Sequence, residues 1–310
     1  MSAGRMGEGT GNDDGGDDRG KLTGCVPVRI RARNRIMEKR ADPSADTSTS
    51  GLTYAGYLRL DELLACQTPL SGTHDEMLFI VIHQASELWM KLCLHELTAA
   101  RRAIAEDRLD TAFKMMARVA RVQQQLIGSW EILATITPAD YSAMRGKLGS
   151  SSGFQSHQYR AMEFLMGNKN AAMVRVFADA PHLQAMLQAA LEQPSIYDEA
   201  LRALARAGLP VPEEQLTRDV TKPYEASPGV EACWREIYAS PERYWNLYEL
   251  AEKLVDLEYR FQLWRFGHLK TVERVIGFKR GTGGTAGVPY LARVIDQVFF
   301  PELLTVRAVL

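Results

Sequence analysis

The stretch HDEMLFIVIHQASELWMKLCLHEL, residues 74–97, decides the fold class of this chain. Its apolar residues recur at steps of three and four, which is the repeat of one face of an α-helix. His83 lies inside that apolar stripe, where an unpaired imidazole would cost roughly 1–3 kcal/mol. Taken alone, the segment favours a core histidine whose ring hydrogen-bonds to a backbone carbonyl. Other parts of the chain are needed to show whether His83 has a further role.

A second long helix is predicted over residues 241–277, and it also carries a histidine on its apolar face. That face includes Trp264, His268 and Val272. Residues 115–136 have the same helical repeat, and no run shows the strict alternation of a β-strand. We therefore predict an all-α fold in which the two longest helices each carry a buried histidine.

Signals for a helix start lie just before two polar residues of interest. Thr137 precedes Pro138 and Asp140, which predicts an N-cap, a proline at the first helical position and an acid in the first turn. The new helix places Tyr141 and Arg145, four residues apart, on one face. A phenol, a guanidinium and a helix start suit a bound carboxylate. An arginine bonded to a surface turn would give the same pattern.

The remaining segments predict the domain organisation. Residues 1–50 are rich in Gly, Asp, Ser and Arg without periodicity, which predicts a disordered extension. Residues 53–71 give a short apolar segment, and residues 149–168 predict a Gly/Ser turn, a serine-capped helix and a stop at Gly167. We predict a single all-α domain over residues 51–310.

Composition excludes several classes of protein. The 310 residues carry a formal net charge of −1, which argues against a nucleic-acid binder held by electrostatics. The sequence shows no secretory signal, and we expect no transmembrane segment. The four cysteines are scattered without a CxxC pair, which predicts reduced thiols and a cytoplasmic protein.

Several kinds of catalytic site are disfavoured by spacing. The His-Glu pair at residues 95–96 has Ala99 where a zincin has its second histidine. We find neither the paired ExxH motifs of a di-iron bundle nor a GxSxG elbow, and GTGGTAG lacks the GK[ST] ending of a P-loop. A single axial ligand on an all-α scaffold remains, and it suits haem. Spacing alone leaves both His83 and His268 as candidates.

Five motifs together resemble the tryptophan 2,3-dioxygenase family: HDEMLFIVIHQASELW, TPADYSAMR, SSSGFQSHQYR, FQLWRFGHLKTVERVIGFKRGTGGTAG and FFPEL. The resemblance runs from about Thr53 to Leu304. It implies a helical haem-dioxygenase fold and a homotetramer with one haem b per subunit. The implied reaction cleaves the C2–C3 bond of the L-tryptophan pyrrole ring with O₂. Its product is N-formyl-L-kynurenine, in the first step of the kynurenine pathway.

The resemblance also implies roles for residues of the active site. His268 is expected to be the proximal haem-iron ligand, and His83 the catalytic residue that accepts a hydrogen bond from the indole N–H. Phe79 is expected to pack against the indole. Tyr141 and Arg145 are expected to hold the substrate carboxylate.

Further implied roles concern the edges of the same pocket. Thr282 is expected to bind the ammonium and carboxylate groups of the substrate. Ser152 and Gly153 are expected to line the haem pocket near O₂ and a propionate. Three residues are implied to come from a neighbouring subunit and complete the pocket: Tyr54, Tyr57 and Leu58.

Three other functions remain open from the sequence. A haem dioxygenase with broader indoleamine specificity would turn over tryptamine or D-tryptophan nearly as fast as L-tryptophan. A haem-based gas or redox sensor would show no turnover, although the Tyr141/Arg145 pair argues against it. A helical oligomer without a cofactor would show no haem absorbance after purification.

Overall fold

The structure, a computed structural model, describes residues 52–310. This part of the chain contains fourteen α-helices and two 3-10 helices, and no β-strand. The α-helices are α1 (Tyr54–Leu58), α2 (Leu60–Leu63), α3 (Asp75–Ala105), α4 (Leu109–Leu133), α5 (Pro138–Leu148), α6 (His157–Met166), α7 (Ala172–Arg175), α8 (Pro181–Glu192), α9 (Ile196–Arg206), α10 (Glu213–Leu216), α11 (Pro228–Ala239), α12 (Trp245–Val275), α13 (Val288–Ile295) and α14 (Pro301–Thr305). The 3-10 helices are Gly153–Gln155 and Val306–Ala308. The prediction of an all-α fold is confirmed.

Residues Leu58–Leu310 form one compact unit. The extension predicted over residues 1–50 lies outside the described residues. The single domain predicted over residues 51–310 stays a prediction.

Three long helices form the frame of the compact unit. Helix α4 packs against both α3 and α12. Each helix contributes apolar side chains that are almost completely buried, among them Leu97 of α3, Met116 of α4 and Leu254 of α12. Burying a side chain of this size contributes about 1.5–3 kcal/mol. Packing of the apolar stripes therefore fixes how these helices lie against one another.

The predicted helix starts and stops are present. The Thr137 hydroxyl accepts a hydrogen bond from the Asp140 amide at 3.3 Å, and Ser156 caps α6 through the Tyr159 amide at 3.1 Å. Helix α6 ends at Gly167, whose φ of +118° favours glycine. These local signals therefore place α5 and α6 as predicted.

Two predicted segments differ from the structure. The second long helix begins at Trp245 rather than at residue 241, because residues 241–244 form turns. Its 31 residues span about 46 Å at 1.5 Å per residue. The short apolar segment at 53–71 is broken at Arg59, whose left-handed φ of 51° separates α1 from α2.

Helix α3 is long and apolar enough, by length and composition, to cross a membrane. A core helix can meet the same criterion. It packs against α4, α6 and α9, and its Glu96 carboxylate is buried in an ion pair with Arg118 of α4. A buried, paired carboxylate suits a helix inside a protein. The expected absence of a transmembrane segment nevertheless stays a prediction.

A buried carboxylate holds the C-terminal end of the chain. Glu302 of α14 accepts hydrogen bonds from the Tyr197 hydroxyl at 2.8 Å, the Tyr224 hydroxyl at 2.5 Å and the Ser227 amide at 2.7 Å. Only 1% of Glu302 is exposed. This one side chain therefore joins α9, the segment before α11 and the chain end.

We predict that Glu302→Ala lowers the free energy of unfolding by about 3 kcal/mol or more, because each unsatisfied buried polar group costs about 1–3 kcal/mol. Glu214→Ala, at an exposed position of α10, is the control and should change it by less than about 0.5 kcal/mol. Urea unfolding followed by circular dichroism measures both. Equal midpoints for the two variants would contradict this role for Glu302.

Candidate active site

One large cavity lies among α3, α4, α5, α6, α12 and the loop before α13. It contains about 1600 Å³ of space free of protein atoms, including its open mouth. Most of the surface that lines it is apolar. All of its lining residues belong to the compact unit that begins at Leu58.

His83 of α3 faces this cavity in one defined tautomer. Its Nδ1 lies 2.7 Å from the carbonyl oxygen of Phe79, one turn earlier. A carbonyl oxygen can only accept, so Nδ1 carries the proton and Nε2 of the neutral ring keeps its lone pair. Burial lowers the pKa of His83, which favours that neutral form. The Phe79 ring lies beside it, with ring centroids 4.2 Å apart.

His268 of α12 faces the same cavity. Burial lowers its pKa to about 4, and the nearby His83 adds to the effect, so the ring is neutral near pH 7. It stacks on Trp130 of α4 with centroids 4.6 Å apart and planes 6° apart. Among residues 52–310 no hydrogen bond to the His268 ring is found. A neutral imidazole to which no described residue hydrogen-bonds therefore faces an apolar cavity.

The predicted carboxylate clamp is divided between two neighbouring pockets. Tyr141 is buried and lines the large cavity, and its ring lies 6.5 Å from that of Phe79. Burial raises the pKa of Tyr141, while the positive charge of Arg145 opposes the rise. Arg145 itself lines a smaller adjoining pocket, where Nη2 donates to the carbonyl of Arg280 at 2.5 Å.

The glycine-rich loop packs against the serine-rich turn. The Thr282 hydroxyl donates to the carbonyl of Ser151. A Cβ added at Gly283 would lie 2.6 Å from Cβ of Ser152, so the two segments approach too closely for a side chain there. Gly153 and Thr282 both line the large cavity as a result.

The structure thus brings together seven of the residues singled out from the sequence. They line the large cavity: Phe79, His83, Tyr141, Ser152, Gly153, Thr282 and His268. Arg145 lies in the adjoining pocket. The side chains of Tyr54 and Tyr57 are 77% and 72% exposed, and Leu58 is 40% exposed.

Sequence reasoning missed part of the lining. Arg265 is buried and pairs with Glu163 at 3.0 Å, and it lines the cavity three residues before His268. Charged residues are seldom buried, and nothing in the sequence marked this pair. Trp130 and Trp264 fall on the apolar faces of their predicted helices. The helical repeat alone, however, does not show whether such a residue lies in the core or in the wall of a cavity.

The chain is similar to known proteins over most of its length. The model of the family described as tryptophan 2,3-dioxygenase matches residues 38–238 and 235–310. A tryptophan 2,3-dioxygenase of Erythrobacter litoralis is 61% identical over 256 residues, which are 83% of this chain and 97% of that protein. Those of Bordetella pertussis and Bacillus cereus are 59% and 57% identical over 83% of this chain, covering 90% and 92% of their own lengths.

The chain belongs to the tryptophan 2,3-dioxygenase family. The resemblance read from the five motifs is confirmed, and the chain is an oxidoreductase of the dioxygenase class. The family is haem-dependent and acts in tryptophan catabolism. The family match begins at residue 38, ahead of both the motifs and the described residues.

The described residues fit a haem. The cavity has the apolar walls and the space for a planar macrocycle. His268 presents a neutral imidazole without a protein partner, which is the form that binds iron. His83 supplies a second lone pair from a different helix.

Close helix packing beside His268 depends on a glycine. A Cβ added at Gly267 would lie 2.7 Å from Cδ1 of Trp130, whereas one at Gly128 of α4 would meet nothing within 4 Å. We predict that Gly267→Ala lowers the free energy of unfolding by about 1–3 kcal/mol through overpacking. The control Gly128→Ala should leave it unchanged or raise it by up to about 1 kcal/mol. Thermal unfolding of both variants tests this, and a stabilised Gly267→Ala would contradict it.

Proposed function

We propose that this chain cleaves the C2–C3 bond of the L-tryptophan pyrrole ring, inserting both atoms of O₂ to give N-formyl-L-kynurenine. The observation that carries the proposal is the pair of neutral imidazoles, His83 and His268, that two long helices present to one apolar cavity. Membership of the tryptophan 2,3-dioxygenase family supports it. The cofactor is haem b, one per subunit.

His268 is the proximal ligand of the haem iron in this proposal. Its ring is neutral and accessible from the cavity, and its helix packs on α4. Bound ferrous haem supplies the chemistry that lets O₂ react with a closed-shell substrate. Ser152 and Gly153 line the same cavity. They would be the residues beside bound O₂ and a haem propionate.

His83 orients the indole. Its Nδ1–H is committed to the Phe79 carbonyl, so Nε2 is the acceptor available to the indole N–H. The ring of Phe79, 4.2 Å from that of His83, packs against the indole. Because the pKa of His83 is lowered, its ring stays neutral and can accept the hydrogen bond from the indole N–H.

The substrate carboxylate and ammonium are held at the cavity edge. Tyr141 already lines the cavity, and Thr282 reaches it from the glycine-rich loop. When the substrate binds, Arg145 gives up its hydrogen bond to the Arg280 carbonyl and donates to the substrate carboxylate instead. A guanidinium gains more from a carboxylate than from a neutral carbonyl, because charge-assisted hydrogen bonds are about twice as strong.

The protein is a cytoplasmic homotetramer in this proposal. Tyr54, Tyr57 and Leu58 come from a neighbouring subunit and complete its pocket. Their exposure on the single chain supports this, since two exposed tyrosines on a five-residue helix have an apolar surface available for a partner.

We predict that His268→Ala purifies without haem, because the proximal ligand is removed. His83→Ala is the matched control and should retain haem and part of the activity, since His83 orients the substrate without ligating iron. The Soret absorbance per protein chain measures haem content, and product absorbance measures turnover. Full Soret absorbance in His268→Ala would rule out the ligand assignment.

We predict that Arg145→Ala raises the KM for L-tryptophan by about 10- to 100-fold, since a hydrogen bond to a charged group contributes about 1.5–3 kcal/mol. Lys147→Ala removes a charge from an exposed position of the same helix and serves as the control. Steady-state kinetics with L-tryptophan decide the point. If the two variants show the same KM, Arg145 does not bind the carboxylate.

A further inference from the structure

Aromatic side chains of two helices pack against the His268 ring. Trp130 stacks on it almost parallel, with centroids 4.6 Å apart and planes 6° apart. Trp264, one turn earlier on α12, flanks it at 5.9 Å and 40°. The two tryptophans also contact each other, with centroids 5.3 Å apart. His268 therefore lies in an aromatic wedge formed by two helices.

The usual device for orienting a metal-binding histidine is different. Such a ring almost always donates its second N–H to a carboxylate, a carbonyl or a water, which fixes the ring plane and makes the ligand more basic. Within residues 52–310, no side chain or carbonyl accepts a hydrogen bond from His268. The contacts that the His268 ring plane makes in this part of the chain are those with Trp130 and Trp264.

The backbone next to His268 leaves room for the indole ring of Trp130. Gly267 directly precedes His268, and any Cβ there would lie 2.7 Å from Cδ1 of Trp130. Trp130 Nε1 is buried and has no hydrogen-bond partner in the described part of the chain. The contacts that place the indole in this part of the chain are those of its ring with Trp264, His268 and the backbone at Gly267.

We infer that Trp130 is a positioning residue that fixes the plane of the His268 imidazole by stacking on it. The inference rests on the proposed role of His268 as the iron ligand. Stacking fixes orientation without transferring negative charge to the ring. The plane of the imidazole is thereby held in one orientation.

The test uses the haem-loaded protein with Trp130→Leu, Trp130→Phe and Trp245→Leu. Trp245 stacks on Tyr248 of the same helix but is 57% exposed and does not line the cavity, so it controls for the loss of a tryptophan stack. The iron–histidine stretching band of the ferrous protein reports ligand orientation. The rate of haem transfer to apomyoglobin reports how firmly the protein holds its haem.

We expect Trp130→Leu to shift or broaden the band and to speed haem loss about three- to tenfold, in line with the worth of an aromatic pair. Trp130→Phe keeps a ring, so its band and its haem-loss rate should lie closer to those of the unsubstituted protein. Trp245→Leu should have the same band and haem-loss rate as the unsubstituted protein. A merely structural role would lower the melting temperature without moving the band. An unchanged band and haem-loss rate in Trp130→Leu would therefore overturn the inference.

Failure of the proposed iron ligand and failure of the role of Trp130 give different results. A normal band that persists in His268→Ala would overturn the proposed ligand and this inference with it. A band that is lost in His268→Ala but unchanged in Trp130→Leu would overturn only the role of Trp130.

Discussion

Two uncharged, half-buried imidazoles that face one cavity are the constraint on which this structure depends. Removing a histidine from water disfavours its charged form, and both His83 and His268 have lowered pKa values for that reason. Neutral rings each keep one lone pair, which is what an iron ion or an indole N–H requires. The apolar helices are therefore part of the chemistry, because they set the protonation state of the two rings.

Helix α4 makes this arrangement rigid. It packs against both histidine-bearing helices and contributes Trp130 to the cavity wall. Trp130 of α4 makes both the close approach to Gly267 and the stack on His268 of α12. A small movement of α4 would consequently alter the ring that faces the cavity and the packing of α12 together, because protein interiors are closely packed.

The sequence predicted the local elements well and the long-range contacts poorly. Repeats of three and four residues located α3, α4 and α12, and Thr137 and Ser156 located two helix starts, because these signals act over a few residues. The start of α12 was placed four residues early, since nothing local distinguishes its first apolar residues from the turns before them. The bond from Arg145 to Arg280 spans 135 residues, and no local pattern encodes a partner that far away. The motif resemblance named the cavity-lining set, whose individual roles remain proposals.

The resting contact of Arg145 bears on which molecules the pocket rejects. One N–H of its guanidinium donates to the Arg280 carbonyl, so a molecule that binds this N–H must outcompete that carbonyl. Under the proposed role of Arg145, a carboxylate does so and an indole without one does not. Selectivity is a difference between two affinities, and an internal competitor enlarges it. The Arg280 carbonyl would then occupy the place of the substrate carboxylate on Arg145, and an indole without a carboxylate would not displace it.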